Sequence, residues 1–285
     1  MGGRYGPVMT TSVDVSVEDG IGWLTLRRPE TRNAVDAAFV WEATEAVDDL
    51  PGGIGALVLA AEGPAFCVGA DLTMFQAAVA AGRVDEDLIP LLQAMHTVTR
   101  KLRALPVPTL AAVEGAAAGA GVGLACACDL RVVGASTVFV PAFCALGLSP
   151  DSGTSYHLTR ALGSVAANAA FLRNRRIPAD ELLARGLADE VVPDGEVRAA
   201  ARRLAGEVAG ASPAALLATR RLTDAAPGQS FEAHLDAEER EISSLWKGTD
   251  VLEGVNAFLE RRRPKFPGVG TGARAAAPAD AGRGA

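Results

Sequence analysis

Between Val13 and Leu26, apolar and polar positions alternate on either side of the turn Glu18-Asp19-Gly20, the pattern of two strands joined in a hairpin. A helical period follows from Val35 to Asp49, with the Pro29 turn and Asn33 as start signals and Pro51-Gly52-Gly53 as the stop. Three short runs then lose the alternation: Ala56–Ala60 (ALVLA), Thr109–Val113 (TLAAV) and Leu130–Val133 (LRVV). Strands covered on both faces read this way. Helical stretches, chiefly Leu88–Leu105, separate them, which predicts parallel strands joined by crossovers in an α/β core. From Pro178 onward helix signals dominate, over Ala179–Arg185, Val197–Val208, Pro213–Thr223, Phe231–Lys247 and Val251–Arg262, with a last strand around Val191. The expected organisation is an α/β core over 11–199 and a C-terminal helical region over 200–267. Residues 1–10 and 268–285 hold little apolar content to offset the entropy of ordering and are expected to be flexible tails.

Composition narrows the class. With 285 residues, 49% of them hydrophobic and 21% charged, the chain can bury a large core, which excludes a disordered or fibrous protein. A net charge of −7 offers no general attraction for a phosphate backbone or an anionic bilayer, so neither nucleic acid nor membrane is an expected partner. The N-terminal sequence lacks a signal-peptide core, and the longest uncharged small or apolar run, Gly115–Cys128, falls short of the roughly 20 residues a membrane helix needs. Cys67, Cys126, Cys128 and Cys144 are too sparse for a disulfide framework and suit a reducing, cytoplasmic setting. Cys126-Ala127-Cys128 lies in an apolar stretch ahead of a strand and reads as buried small side chains. His157 and His234 have no partners at metal-ligand spacing, so no metal is assigned.

One local echo carries the chemistry. LAAEGPAFCVGADL (Leu59–Leu72) and LAAVEGAAAGAGVGL (Leu110–Leu124) each run from strand through a Glu-Gly turn and a small-residue loop into a helix. A helix start presents unpaired N–H groups and a positive dipole end. Two such ends aimed at one point would form an oxyanion hole, which stabilises the negative oxygen of an enolate or tetrahedral intermediate. Taken singly, each loop is better explained by close packing or a turn, which Gly and Ala beside a strand more often serve.

Taken together, the stretches GWLTLRRPETRNAV, GPAFCVGADL, PVPTLAAVEGAAAGAGVGLACACDLRV, FCALGLSPDSGTSYHLTRALG, RRIPADELLARGLADEVVP and EGVNAFLERRRPKF resemble the crotonase (enoyl-CoA hydratase/isomerase) superfamily over residues 13–267. The resemblance implies an α/β fold of the crotonase (ClpP-like) type, a spiral of ββα turns with a C-terminal helical extension. It also implies an acyl-CoA thioester as substrate, coenzyme A being part of that substrate and no separate cofactor being needed, and a homotrimer or dimer of trimers. The oxyanion donors would be the backbone N–H groups of Ala70 and Ala120. Hydratases of the family use two glutamates, and the corresponding positions here are Gly123 and Phe143, neither able to transfer a proton. Isomerases resembling ring-1,2-epoxyphenylacetyl-CoA isomerase and dienoyl-CoA isomerases place an Asp where this chain has Asp151.

The expectation is therefore an acyl-CoA isomerase that shifts a double bond, or rearranges a ring epoxide, with Asp151 as acid and base. Asp151 also precedes a predicted helix near Gly153, where Asp is a favoured N-cap. The two roles differ in charge: a cap lowers the carboxyl pKa, whereas an apolar cage raises it. His96 lies on a predicted helix facing the site, and members resembling 4-chlorobenzoyl-CoA dehalogenase carry a His there with a nucleophilic Asp. A dehalogenase or hydrolase with Asp151 as nucleophile and His96 as base is the first alternative. A hydratase with an unidentified acid and base, and a non-catalytic acyl-CoA binder, are the others. Cys67, Gly123, Phe143 and Cys144 are expected to line the acyl pocket. For coenzyme A the resemblance points to Arg28, Arg32 and the loop around Val68, with Phe258 and Lys265 of the last helix reaching a neighbouring subunit's ligand.

Overall fold

A computed structural model describes residues 11–266; the expected tails 1–10 and 268–285, and Pro267, lie outside the described residues. The hairpin forms as the alternation requires, β1 (Val13–Glu18) pairing antiparallel with β2 (Ile21–Leu26) around Asp19-Gly20, both at positive φ. Helix α1 (Ala37–Asp48) starts later than expected. Asp36, not Asn33, caps it, accepting from the Phe39 amide at 2.9 Å. Asn33 is fully buried and otherwise engaged: its amide donates to the carbonyls of Glu62 and Ala65, each at 3.0 Å, and its oxygen accepts from Arg28 N at 2.8 Å.

Three successive units follow, each with a strand in the main sheet, a short strand in a second sheet, and helix. The first is β3 (Ala56–Ala61), β4 (Ala65–Cys67), α2 (Leu72–Ala80) and α3 (Ile89–Ala104). The second is β5 (Thr109–Val113), β6 (Ala116–Ala118) and α4 (Ala120–Ala127). The third is β7 (Leu130–Gly134), β8 (Val138–Val140), α5 (Thr154–Leu162) and α6 (Ser164–Leu172). The chain continues through β9 (Ile177–Pro178), α7 (Ala179–Ala184), β10 (Glu190–Val192), α8 (Val197–Val208), α9 (Pro213–Ala225), α10 (Phe231–Leu245) and α11 (Thr249–Leu259). The main sheet runs β1-β2-β3-β5-β7-β10 and is parallel apart from β1; the second runs β4-β6-β8-β9 with β9 antiparallel. The small-residue loops of the echo therefore contain β4 and β6.

The unbroken apolar runs have two destinations. Leu57 and Leu59 of β3, with Ala111 and Val113 of β5, face the larger core shared with α1, α3, α4 and α5. Ala56, Val58 and Ala60, with Leu110 and Ala112, face the opposite side, where Val197, Ala201 and Ala205 of α8 cover them. Alternate side chains of one strand thus enter two cores, which is why no polar position interrupts the run. Helix α8 also lays Arg198 over the buried Trp23 ring, 3.9 Å from its centroid. Residues 199 and 200, the expected boundary, lie inside α8, so helices not laid on the sheet begin only with α9. Arg220 ties α9 to the core by an ion pair with Asp129 and bonds to the carbonyls of Leu105 and Val107. Beyond it, Phe231, Trp246, Phe258 and Leu259 are exposed. No helix among the described residues is long and apolar enough to cross a membrane.

Candidate active site

Close backbone approach brings the two echoing loops together. Gly69 lies against the second loop, where a Cβ would stand 2.9 Å from the Ala118 carbonyl oxygen and 3.4 Å from Ala120 N. Gly121 lies against the first, where a Cβ would stand 2.2 Å from the Cys67 carbonyl oxygen. Gly69 and Gly119 also have positive φ, +84° and +52°. Ala70 follows Gly69, and its neighbours bond to Val35 on both sides: Val35 N donates to Gly69 O at 2.8 Å and Asp71 N to Val35 O at 2.9 Å. Ala120 is the first residue of α4 and has no carbonyl one turn earlier within the helix. Among the described residues no acceptor takes the amide of Ala70 or of Ala120. Two free N–H groups therefore belong to backbones in van der Waals contact.

The third component is the turn before α5. Ser152 and Gly153 both have positive φ, +52° and +80°. Thr154 fixes the turn to the second loop, its Oγ1 donating to Gly119 O at 3.2 Å and its N–H to Asp151 O at 2.8 Å. Asp151 does not cap the helix: Gly153 occupies that position and no side-chain bond caps α5. The Asp151 carboxyl is half-buried, and its Oδ1 is enclosed without a hydrogen-bond partner. Burial pushes its pKa above the ordinary carboxylate range, with adjacent Ser152 and the imidazole of His96 offsetting this in part. That is the direction of a caged carboxylate. The ring of His96, on α3, reaches the same turn, accepting from Ser152 N through Nε2 at 3.3 Å.

Around this cluster the expected pocket residues take specific positions. Phe143 is 6% exposed, its ring against Gly119 and 6.5 Å from that of Phe171. Cys67 is fully buried and its thiol is pushed up to about 11, while Cys144 is a half-buried free thiol; neither has a partner that would make it nucleophilic. Gly123 is pressed against the turn: a Cβ there would stand 2.2 Å from Ser152 O. Ser152, which sequence reasoning passed over, fills the space over Gly123, is 1% exposed, and has a hydroxyl without a partner. The only signal that could have found it is its place between Asp151 and a glycine.

The basic residues divide. Arg28 is half-buried and paired with Asp36 at 2.5 Å, where it holds the start of α1. Arg32 is exposed at φ +55°, and its carbonyl accepts from Val68 N at 3.3 Å, so Arg32 and half-buried Val68 flank the first loop. Phe258 and Lys265 are not brought there within one chain. Phe266 beside Lys265 lines a cavity with Ile54 and Gly55, at the end of β3 opposite to the loops, and Phe258 is 84% exposed. Among the described residues no group of three His, Cys, Asp or Glu side chains is placed to hold a metal.

Known proteins resemble this chain over most of its length. The family described as enoyl-CoA hydratase/isomerase matches residues 16–269. A probable enoyl-CoA hydratase of Rhodobacter capsulatus is 36% identical over 90% of this chain and 98% of its own length. A trans-2-decenoyl-[acyl-carrier-protein] isomerase of Streptococcus mutans is 30% identical over 89% and 97%. Among solved structures, an enoyl-CoA hydratase from Polaromonas superposes with a TM-score of 0.83 at 32% identity, covering 89% of this chain and 99% of that one.

Proposed function

The chain belongs to the enoyl-CoA hydratase/isomerase family, and on that premise we propose that it is an acyl-CoA isomerase that shifts a double bond through a thioester enolate. The observation that carries this reading is the Asp151 carboxylate, enclosed, without a partner on Oδ1, and held by Thr154 to the loop bearing the Ala120 N–H. The thioester carbonyl oxygen accepts from the amides of Ala70 and Ala120, which makes a proton on the acyl chain acidic. Asp151 removes that proton and returns it to another carbon, so one carboxyl serves as base and then acid. The carbon–carbon double bond moves while charge and atoms balance. The thioester remains intact, and coenzyme A leaves with the product.

Hydration needs a second group to activate water, and the two positions where the resemblance would put glutamates offer none. Phe143 is apolar, and at Gly123 the space a side chain needs holds the Ser152 carbonyl. The dehalogenase alternative needs a free imidazole base, whereas His96 Nε2 is occupied by the Ser152 amide. Both observations favour isomerisation. Arg32 and Val68 flank the first loop as contacts for the nucleotide, and Phe258 and Lys265 would serve the ligand of another copy in a trimer.

The test is incubation with a 3-enoyl-CoA and, separately, a 2-enoyl-CoA in D₂O, followed by mass spectrometry. A double-bond shift with deuterium incorporation is expected, and Asp151→Asn should lower turnover by about 10²–10⁴-fold while coenzyme A binding is kept. Addition of water to the 2-enoyl-CoA, or full activity in Asp151→Asn, overturns the reading.

A further inference from the structure

One turn along α4 from Gly123, Cys126 forms part of the wall of a separate cavity of about 240 Å³. Arg131, His157, Arg160 and Arg185 also line it, and no carboxylate does. The acids near it are engaged elsewhere. Asp224 pairs with Arg103, Glu181 holds Arg175 through two bonds of 2.6 and 3.0 Å, and Asp189 accepts from the Arg131 backbone N–H at 2.7 Å. Two of the lining guanidiniums are instead oriented by neutral carbonyls. Arg131 donates to Leu187 O at 2.7 Å and to Cys128 O at 2.8 Å, and Arg160 donates to Thr223 O at 3.0 Å while stacking on Tyr156. Arg185 is exposed and, among the described residues, has no ion-pair partner. In a chain of net charge −7, three guanidiniums and no carboxylate line this one cavity, so its wall is positive.

We propose that this cavity is a binding site for a phosphate-type oxyanion, held by the guanidiniums of Arg131, Arg160 and Arg185 with the His157 ring as a further donor. Planar guanidinium forks match phosphate oxygens through paired, charge-assisted bonds. Those of Arg131 and Arg160 are already fixed by the carbonyls, so little freedom is lost when the anion arrives. The volume admits a phosphoryl group and part of what carries it. His157 reports the field: burial together with Arg103, Arg131 and Arg160 holds its pKa down to about 4, with Asp224 opposing. A bound dianion reverses that field, so its binding raises the His157 pKa and takes up a proton.

The experiment is an NMR titration of the His157 ring in the full chain with sodium phosphate, against sodium chloride at matched ionic strength. A saturable shift with a raised His157 pKa is expected for phosphate alone. Arg185→Gln, which removes an exposed side chain and no internal bond, should weaken the affinity several-fold, and Arg160→Gln with Arg185→Gln by about tenfold or more. Coenzyme A as a second titrant separates the sources. Tighter saturation by coenzyme A than by phosphate, lost in the double variant, identifies a nucleotide-borne phosphate, and equal or weaker binding identifies the free ion. A response that does not saturate, that chloride reproduces, or that both variants retain unchanged overturns the proposal.

Discussion

Both echoing loops end in a free backbone N–H beside a glycine, yet the helices that follow them live in different surroundings. Every residue of α4 is buried, whereas α2 buries only Ala78 and leaves Leu72 and Val79 half exposed. The contrast is produced by glycine. Helix α4 carries Gly121 and Gly123 against the backbones of Cys67 and Ser152, and no other residue fits either contact. Helix α2 instead starts from the Asp71 side chain, which accepts from Thr73 N and Met74 N, and needs no close approach. One donor of the proposed oxyanion site is thus followed by a helix anchored in the core and the other by a helix at the surface. Tolerance to change is assigned by this difference to the α2 side.

The sharpest way to break the comparison is Gly123→Ala. Its methyl would meet Ser152 O, so the turn bearing Asp151 must move; a turnover loss of about 10²-fold is expected, since small misplacements of a reacting group cost that much. Thermal or urea unfolding should show a loss of about 1–3 kcal/mol, as overpacking does. Gly121→Ala, against Cys67 O, should destabilise comparably. At the surface, Leu72→Ala and Val79→Ala should change stability by no more than about 0.5 kcal/mol, while KM for longer acyl chains rises. If the α2 variants destabilise as much as those in α4, the division into a fixed and an adaptable helix fails.

Smaller effects follow from charge. Because burial raises the Asp151 pKa, kcat/KM should fall with decreasing pH along a limb that lies above the ordinary carboxylate range, and that limb should be absent from any residual activity of Asp151→Asn. Stability moves the opposite way. A carboxyl whose folded pKa is raised favours the folded state while protonated, and that contribution is lost as pH rises through the folded value. His157 has the reverse sign. Its folded pKa of about 4 lies below the ordinary 6.5, so the unfolded chain binds the proton first and stability declines as pH drops from 6.5 towards 4. His157→Asn should flatten that decline in a pH series of unfolding curves.

The strand and helix order was legible because burial on two faces, alternation and helical period each leave a mark on the sequence. Short strands such as β6, Ala116–Ala118, leave none: three alanines have no period, and the pairing partner lies on a distant segment. Asn33 reads locally as a helix start, but its amide is used by two carbonyls about thirty residues away. Assignment of α8 to the helical region failed to anticipate that its Val197, Ala201 and Ala205 would cover the second face of the sheet, since the period of a helix does not say which surface it meets.

The sequence by itself determined the strands of the main sheet, most of the helices, the two small-residue loops, and the absence of a glutamate at residues 123 and 143. Only the tertiary structure decided that Asp151 is enclosed and not a cap, that Ser152 takes the space over Gly123, and that His96 spends its Nε2 on a backbone amide. The reason is distance along the chain. Period and turn chemistry act among residues a few positions apart, whereas a carboxyl's charge state and a glycine's clearance depend on segments that only folding brings together.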